Sequence, residues 1–129
     1  MTAVLLDTNA FLWWIDESSR LSGRARRAIS DPHHDCFVSL VSIWEMAIKC
    51  RLGKLKLPKP VAAFVPEHLN ANRFRQLDIG FRDVARVEAL PDHHRDPFDR
   101  LLIAQALERG LAVVTSDEVF GDYGVRRVW

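Results

Sequence analysis

The chain has 129 residues, which suits one domain spanning 1–129 around a single core. Apolar residues make up 48%, charged residues 27%, and the formal net charge is +1, so bulk charge gives no pull toward nucleic acid and any such contact must come from local patches. No apolar run approaches the roughly 18 residues of a membrane span, no basic leader precedes Val4, and Cys36 and Cys50 match neither a disulfide framework nor a metal knuckle, so a reduced, cytoplasmic chain with no membrane contact is expected.

Val4-Leu5-Leu6 is a short continuous apolar run, as in a strand buried on both faces. Asp7-Thr8-Asn9 supplies cap chemistry for a helix through Ile15, with Phe11, Trp14 and Ile15 on one face and Trp13 pointing elsewhere. Ser22 caps a second helix to about Ile29, closed by Asp31-Pro32. Cys36-Phe37-Val38 reads as a weak strand. Ser42-Ile43-Trp44-Glu45 matches a capping box and opens a helix to about Leu52, stopped by Gly53. A basic, proline-bounded loop follows from Lys54 to Pro60. A helix over Val61 to Asn70 and a short strand at Phe74 to Leu77 come next. The segment from Phe81 to Val87 has helical spacing, with Phe81, Val84 and Ala85 on one side. After a loop from Leu90 to Arg95, Asp96 caps a helix whose first residue is Pro97 and which ends near Arg109 at Gly110. Its sparse polar face predicts deep packing. Ala112-Val113-Val114 is a further buried strand, and Val125 to Val128 an edge strand. Apolar strands alternating with helices predict an α/β/α sandwich with a mainly parallel sheet.

Such a sheet gathers its strand ends at one edge, where ligands bind. Asp7 and Asp117 follow apolar strands, and Glu45 and Asp99 are placed in first helical turns that can reach over that edge. Hard oxygen donors of this kind suit Mg²⁺ or Mn²⁺. Capping explains Asp7, Glu45, Asp96 and Asp99 one at a time. It explains Asp7 and Asp117 together less well, because neither has a lysine or arginine adjoining it.

The ordered pieces Leu5-Leu6-Asp7-Thr8-Asn9, Ser42-Ile43-Trp44-Glu45 with Ala47-Ile48-Lys49, Gly53-Lys54-Leu55, Asp96-Pro97-Phe98-Asp99-Arg100 running into Leu101 to Ala106, and Thr115-Ser116-Asp117 with Phe120 and Tyr123 span nearly the whole chain. In that order they resemble a PIN-domain ribonuclease, specifically a VapC-type toxin of a toxin–antitoxin pair. The resemblance implies a Mg²⁺- or Mn²⁺-dependent endoribonuclease, a homodimer, and neutralisation by a small VapB-like antitoxin. It assigns Asp7, Glu45, Asp99 and Asp117 as the catalytic and metal-binding quartet, with Glu45 as ligand or base. It puts Asp96 at the rim and gives Thr8, Asn9, Ser42 and Ser116 the task of orienting carboxylates.

Lys49, Arg51, Lys54, Lys56 and Lys59 form a basic stretch after Glu45 that can hold an RNA backbone or simply end a helix in solvent. Arg100 can clamp a phosphate or pair with an acid. His33-His34-Asp35 and His93-His94 lack zinc spacing and are expected at the surface. Trp14 and Trp44 are expected in packing faces, and Trp13 on a partner surface. A phosphoacceptor receiver domain fits less well, because Thr8-Asn9 stands where an acidic pattern would be needed, and Asn9 likewise disfavours a haloacid-dehalogenase-type phosphatase. A PIN-like RNA-binding or processing module without a toxin role is the remaining alternative.

Overall fold

The structure is a computed structural model and describes residues 2–129. Strand β1 (Thr2–Leu6) leads into helix α1 (Thr8–Ile15), followed by α2 (Gly23–Ser30), β2 (His34–Ser39), α3 (Leu40–Arg51), α4 (Val61–Asn72), β3 (Arg75–Leu77), α5 (Phe81–Val87), α6 (Pro97–Arg109), β4 (Ala112–Val114), the short α7 (Val119–Asp122) and β5 (Arg127–Val128). The five strands form one all-parallel sheet in the order β3-β2-β1-β4-β5. Strand alternation divides the core in two. Val4, Leu6, Cys36, Val38, Ala112 and Val114 face a layer that includes Phe11, Ile29, Met46 and Phe64. Leu5 and Val113 face the layer containing Leu102, Ile103 and Phe120. No helix among the described residues is long and apolar enough to cross a membrane.

Several sequence expectations shift. Helix α3 begins at Leu40 rather than Ser42, because β2 runs on to Ser39 and the Ser39 hydroxyl accepts the Val41 N–H as the cap. The Ser42 capping box therefore does not form, and Glu45 lies in the second turn of α3, buried like Ser42. On α5 Phe81 and Val84 are exposed, while Asp83 is buried and Val87 packs against the core. Trp44 is also more than half exposed, with its ring edge-on to Phe98 at 4.9 Å between centroids. Trp13 packs on Trp129 at 5.8 Å. Both cysteines are free, and burial pushes the Cys36 thiol up to about 11.

Asp83 turns inward because its neighbours satisfy it. Its carboxylate accepts from the Gly80 N–H at 2.8 Å, from Arg109 Nη2 at 2.9 Å and from Gln105 Nε2 at 3.2 Å. Burial alone would raise its pKa, but the hydrogen bonds from Arg109, Gly80 and Gln105 outweigh it and hold the carboxyl below its ordinary value. Gln105 in turn accepts from the Ser39 hydroxyl, so one network ties α5, α6 and the cap of α3 together. Asp83→Ala strips three donors of a partner and is expected to cost about 2–4 kcal/mol in urea denaturation. A loss within the roughly 0.5 kcal/mol of an ordinary surface change would show that the network does not stabilise the fold.

Candidate active site

The pairing of β1 with β4 sets Leu6 beside Val114, so the residues that follow them emerge together. The Asp7 N–H donates to the Val114 carbonyl at 3.1 Å, which carries the ladder one step past β1. Asp7 then caps α1, its Oδ1 accepting from the Ala10 N–H at 2.8 Å. Beyond β4, Asp117 Oδ1 accepts from the Val119 N–H at 3.0 Å. On the neighbouring side, α6 starts at the same edge, where Asp96 Oδ1 accepts from the N–H groups of Phe98 and Asp99. Helix α3 brings Glu45 across from β2.

These elements enclose a cleft of about 130 Å³ lined by Asp7, Thr8, Asn9, Glu45, Lys49, Asp96, Asp99, Ser116 and Asp117. The four acids of the expected quartet and Asp96 thus meet in one place. Thr8, Asn9 and Ser116 line the same cleft. Ser42 lies behind it, fully buried, with its hydroxyl 2.9 Å from that of Thr8. Thr8 donates to Glu45 Oε1 at 2.6 Å, and Lys49 Nζ donates to Glu45 Oε2. Both oxygens of Glu45 are therefore engaged, and the hydrogen bond to Glu45 raises the Lys49 ammonium above its ordinary pKa.

Two aspartates carry the electrostatic load. Burial pushes Asp7 up to about 6, against the Thr115 and Ala10 hydrogen bonds that lower it, and Glu45 and Asp117 add repulsion. Burial likewise pushes Asp99 up to about 7, with repulsion from Asp96, Asp7 and Glu45 only partly offset by His94. Crowded carboxylates with raised proton affinity and hard oxygen atoms fit a divalent cation, which would take the place of the protons they otherwise retain.

The basic residues separate. Lys49 reaches the cleft, whereas Arg51 and Lys54 are exposed beyond it. Arg100 is engaged elsewhere: its Nη1 donates to the carbonyls of Pro91 (2.9 Å) and His94 (3.3 Å), and its Nη2 to those of Val87 and Leu90. It fastens the loop before α6 rather than presenting a free cation to the cleft. His94, expected at the surface, is instead turned inward, with Nε2 2.7 Å from Asp117 Oδ2 and 3.2 Å from Asp99 Oδ2. The signal for it was its place two residues ahead of the Asp96 cap, close enough for its ring to accept the cap's own N–H.

A family model described as PIN domain matches residues 4–125. Ribonuclease VapC22 of Mycobacterium tuberculosis is 36% identical over 119 residues, covering 91% of this chain and 88% of that protein. Ribonuclease VapC16 of the same organism is 41% identical over a shorter stretch of 44 residues. Among solved structures, DNA-bound VapBC from Salmonella typhimurium superposes with a TM-score of 0.72 at 20% identity, covering 98% of this chain and 97% of that one. VapBC2 from Rickettsia felis, bound to a promoter DNA fragment, gives 0.71 at 13% identity, covering 99% and 100%. At such identities the structural likeness establishes the fold. The sequence match over nearly the whole length establishes more: the chain belongs to the PIN-domain family, in the branch of the VapC ribonucleases.

Proposed function

We propose that the protein is a cytoplasmic, Mg²⁺- or Mn²⁺-dependent endoribonuclease toxin restrained by a VapB-like antitoxin. The observation that carries the reading is the cleft itself, where Asp7, Glu45, Asp99 and Asp117 converge and two of them have pKa values raised to about 6 and 7. Asp7, Asp99 and Asp117 would hold the cation. When bound, it supplies charge neutralisation and stabilises the negative charge that develops on a phosphodiester during in-line attack by water. Glu45 stands beside these three as ligand or base: Thr8 and Lys49 each hold one of its oxygens and leave further lone pairs on both. Lys49, at the cleft wall, is placed to meet a phosphate, and Arg51 and Lys54 extend that basic side outward. The solved VapBC complexes of similar fold support a small antitoxin as partner, and the exposed side chains of Trp44, Leu52, Phe81 and Val84 offer apolar area for it or for a second copy in a homodimer.

Removal of hydrogen-bond partners around metal ligands costs about 10–100-fold, so loss of a ligand should exceed about a hundredfold. Asp7→Ala and Asp99→Ala are expected to lower cleavage of labelled RNA by that much while the far-ultraviolet dichroism stays unchanged, and excess chelator should do the same to the wild type. Full cleavage in chelator would refute metal dependence. Binding of RNA with no cleavage under any divalent cation would favour the non-catalytic PIN-like module.

The raised pKa values also predict how stability depends on pH. Between pH ~4 and ~7 the metal-free folded chain holds protons on Asp7 and Asp99 that the unfolded chain has released, so these groups lower stability as pH rises, with the full penalty above pH ~7. Asp99→Asn removes one of them. In chelator it is expected to be more stable than the wild type at pH 8 by roughly 1–3 kcal/mol, after allowance for screening at a partly exposed site. The gap should close toward pH 4. Equal unfolding midpoints at pH 8 would contradict the assignment of strain to this carboxylate.

A further inference from the structure

His94 is a chemically ambiguous neighbour of the acids. One ring nitrogen of His94 and one oxygen each of Asp99 and Asp117 lie within 4.8 Å of one another, a spacing that would accept a metal ion with a nitrogen ligand. The other ring nitrogen resolves the ambiguity. Nδ1 lies 3.1 Å from the Asp96 backbone nitrogen and accepts its N–H. That N–H is fixed where the chain enters α6, with Asp96 as the cap. A proton on Nδ1 would set two donors against each other, so the ring proton belongs on Nε2. Nε2 faces Asp117 Oδ2 at 2.7 Å, which accepts it, and lies 3.2 Å from Asp99 Oδ2. In the opposite tautomer a lone pair would point at the Asp117 oxygen 2.7 Å away.

The surroundings hold the ring in that pose. The Tyr123 hydroxyl accepts the N–H groups of His93 (3.0 Å) and His94 (2.8 Å) and donates to the Pro91 carbonyl. Arg100 donates to the carbonyls of Pro91 and His94. Phe120 meets the imidazole edge-on at 6.3 Å. The Val119 N–H holds the other oxygen of Asp117.

We propose that His94 is a positioning residue: its Nε2–H is a fixed hydrogen-bond donor that aims Asp117 into the cleft beside Asp99, and it is not itself a metal ligand. Tyr123 and Arg100 serve it by anchoring the loop that carries it. The exclusion of His94 from the metal rests on the proposed metal dependence, whereas the tautomer can be measured without any metal.

Long-range ¹H–¹⁵N spectra of the metal-free, histidine-labelled protein should show His94, identified by its loss in His94→Gln, protonated on Nε2 alone. A ring protonated on Nδ1, or on both nitrogens, overturns the proposal. Pulsed paramagnetic resonance of the Mn²⁺-loaded wild type should show no directly coordinated nitrogen, and a strong ¹⁴N coupling that disappears in His94→Gln overturns it equally. Failure of the wild type to bind Mn²⁺ would count against the metal-dependent function, and the tautomer would still decide on His94. In RNA cleavage, His94→Gln keeps an N–H donor at similar reach and is expected to stay within about tenfold of wild-type kcat, while His94→Ala should lose about 10–100-fold in kcat or Mn²⁺ affinity with little change in KM for RNA. Equal losses in the two variants would contradict a donor role. Should His94→Ala fail to fold, the His94→Gln comparison and the wild-type spectra still decide whether His94 is a donor.

Discussion

Repulsion among carboxylates held at one sheet edge governs this molecule. Left free, five acids would spread into solvent, where their charges are screened. Here the parallel sheet and two helix starts keep them around one cleft. The restraint comes mainly from backbone donors. The Ala10 N–H fixes Asp7, the N–H groups of Phe98 and Asp99 fix Asp96, and the Val119 N–H fixes Asp117. Each of these bonds takes one oxygen. Capping and site formation are therefore not rival explanations for these acids. For Asp7 and Asp96 the cap itself holds the carboxylate against that repulsion, Thr8 and Lys49 do the same for Glu45, and a bound cation would draw on the oxygens left available.

The frame must be stiff enough to bear that repulsion, and its polar interior explains how. Among the described residues no buried side-chain nitrogen or oxygen lacks a hydrogen-bond partner. Ser39 shows the economy of the arrangement: its hydroxyl accepts from Val41 to begin α3 and donates to Gln105 in the middle of α6. The helix that carries Glu45 and the helix that carries Asp99 are thereby set in register with each other. Asp83 and Arg109 extend the same chain of contacts to α5. Because each member satisfies another, loss of one leaves a buried donor or acceptor with no water to replace it, which is why such networks favour a single arrangement.

Much of this was legible in the sequence. Continuous apolar runs at Val4–Leu6 and Ala112–Val114 marked buried parallel strands, and their flanking acids followed. Asp96-Pro97 marked the start of α6 and Gly110 its end, the latter in the left-handed conformation with φ of 66°. What escaped was set by partners remote in sequence. Ser39 and Ser42 are both good caps by local chemistry, and the choice between them depends on how far β2 remains paired, with Ser39 opposite Leu77 of β3. The spacing put Phe81 and Val84 on one side of α5 without saying which side is buried, and Asp83 turned inward because Arg109 and Gln105, more than twenty residues away, were there to receive it. The places of His94 and Arg100 were set in the same way. Long cationic side chains follow the acceptors within reach, and the carbonyls around Pro91 captured the guanidinium while the ring went to the acids.

The charge balance of the cleft constrains how any cation enters it. Five carboxylates face the ammonium of Lys49 in the cleft. A chain in that condition holds protons near neutrality, on Asp99 first and Asp7 next, as their values of about 7 and 6 indicate. A divalent ion arriving there must displace those protons, so uptake is coupled to proton release and strengthens as pH rises. Even then a negative excess remains, and a phosphodiester approaching the cleft meets like charge unless Lys49 turns toward it. Lys49 can do so only by loosening its hold on Glu45, which Thr8 would keep in place through the other oxygen. The two donors on Glu45 thus have different standing: Thr8 is buried and fixed, while Lys49 is partly exposed and free to exchange one anion for another.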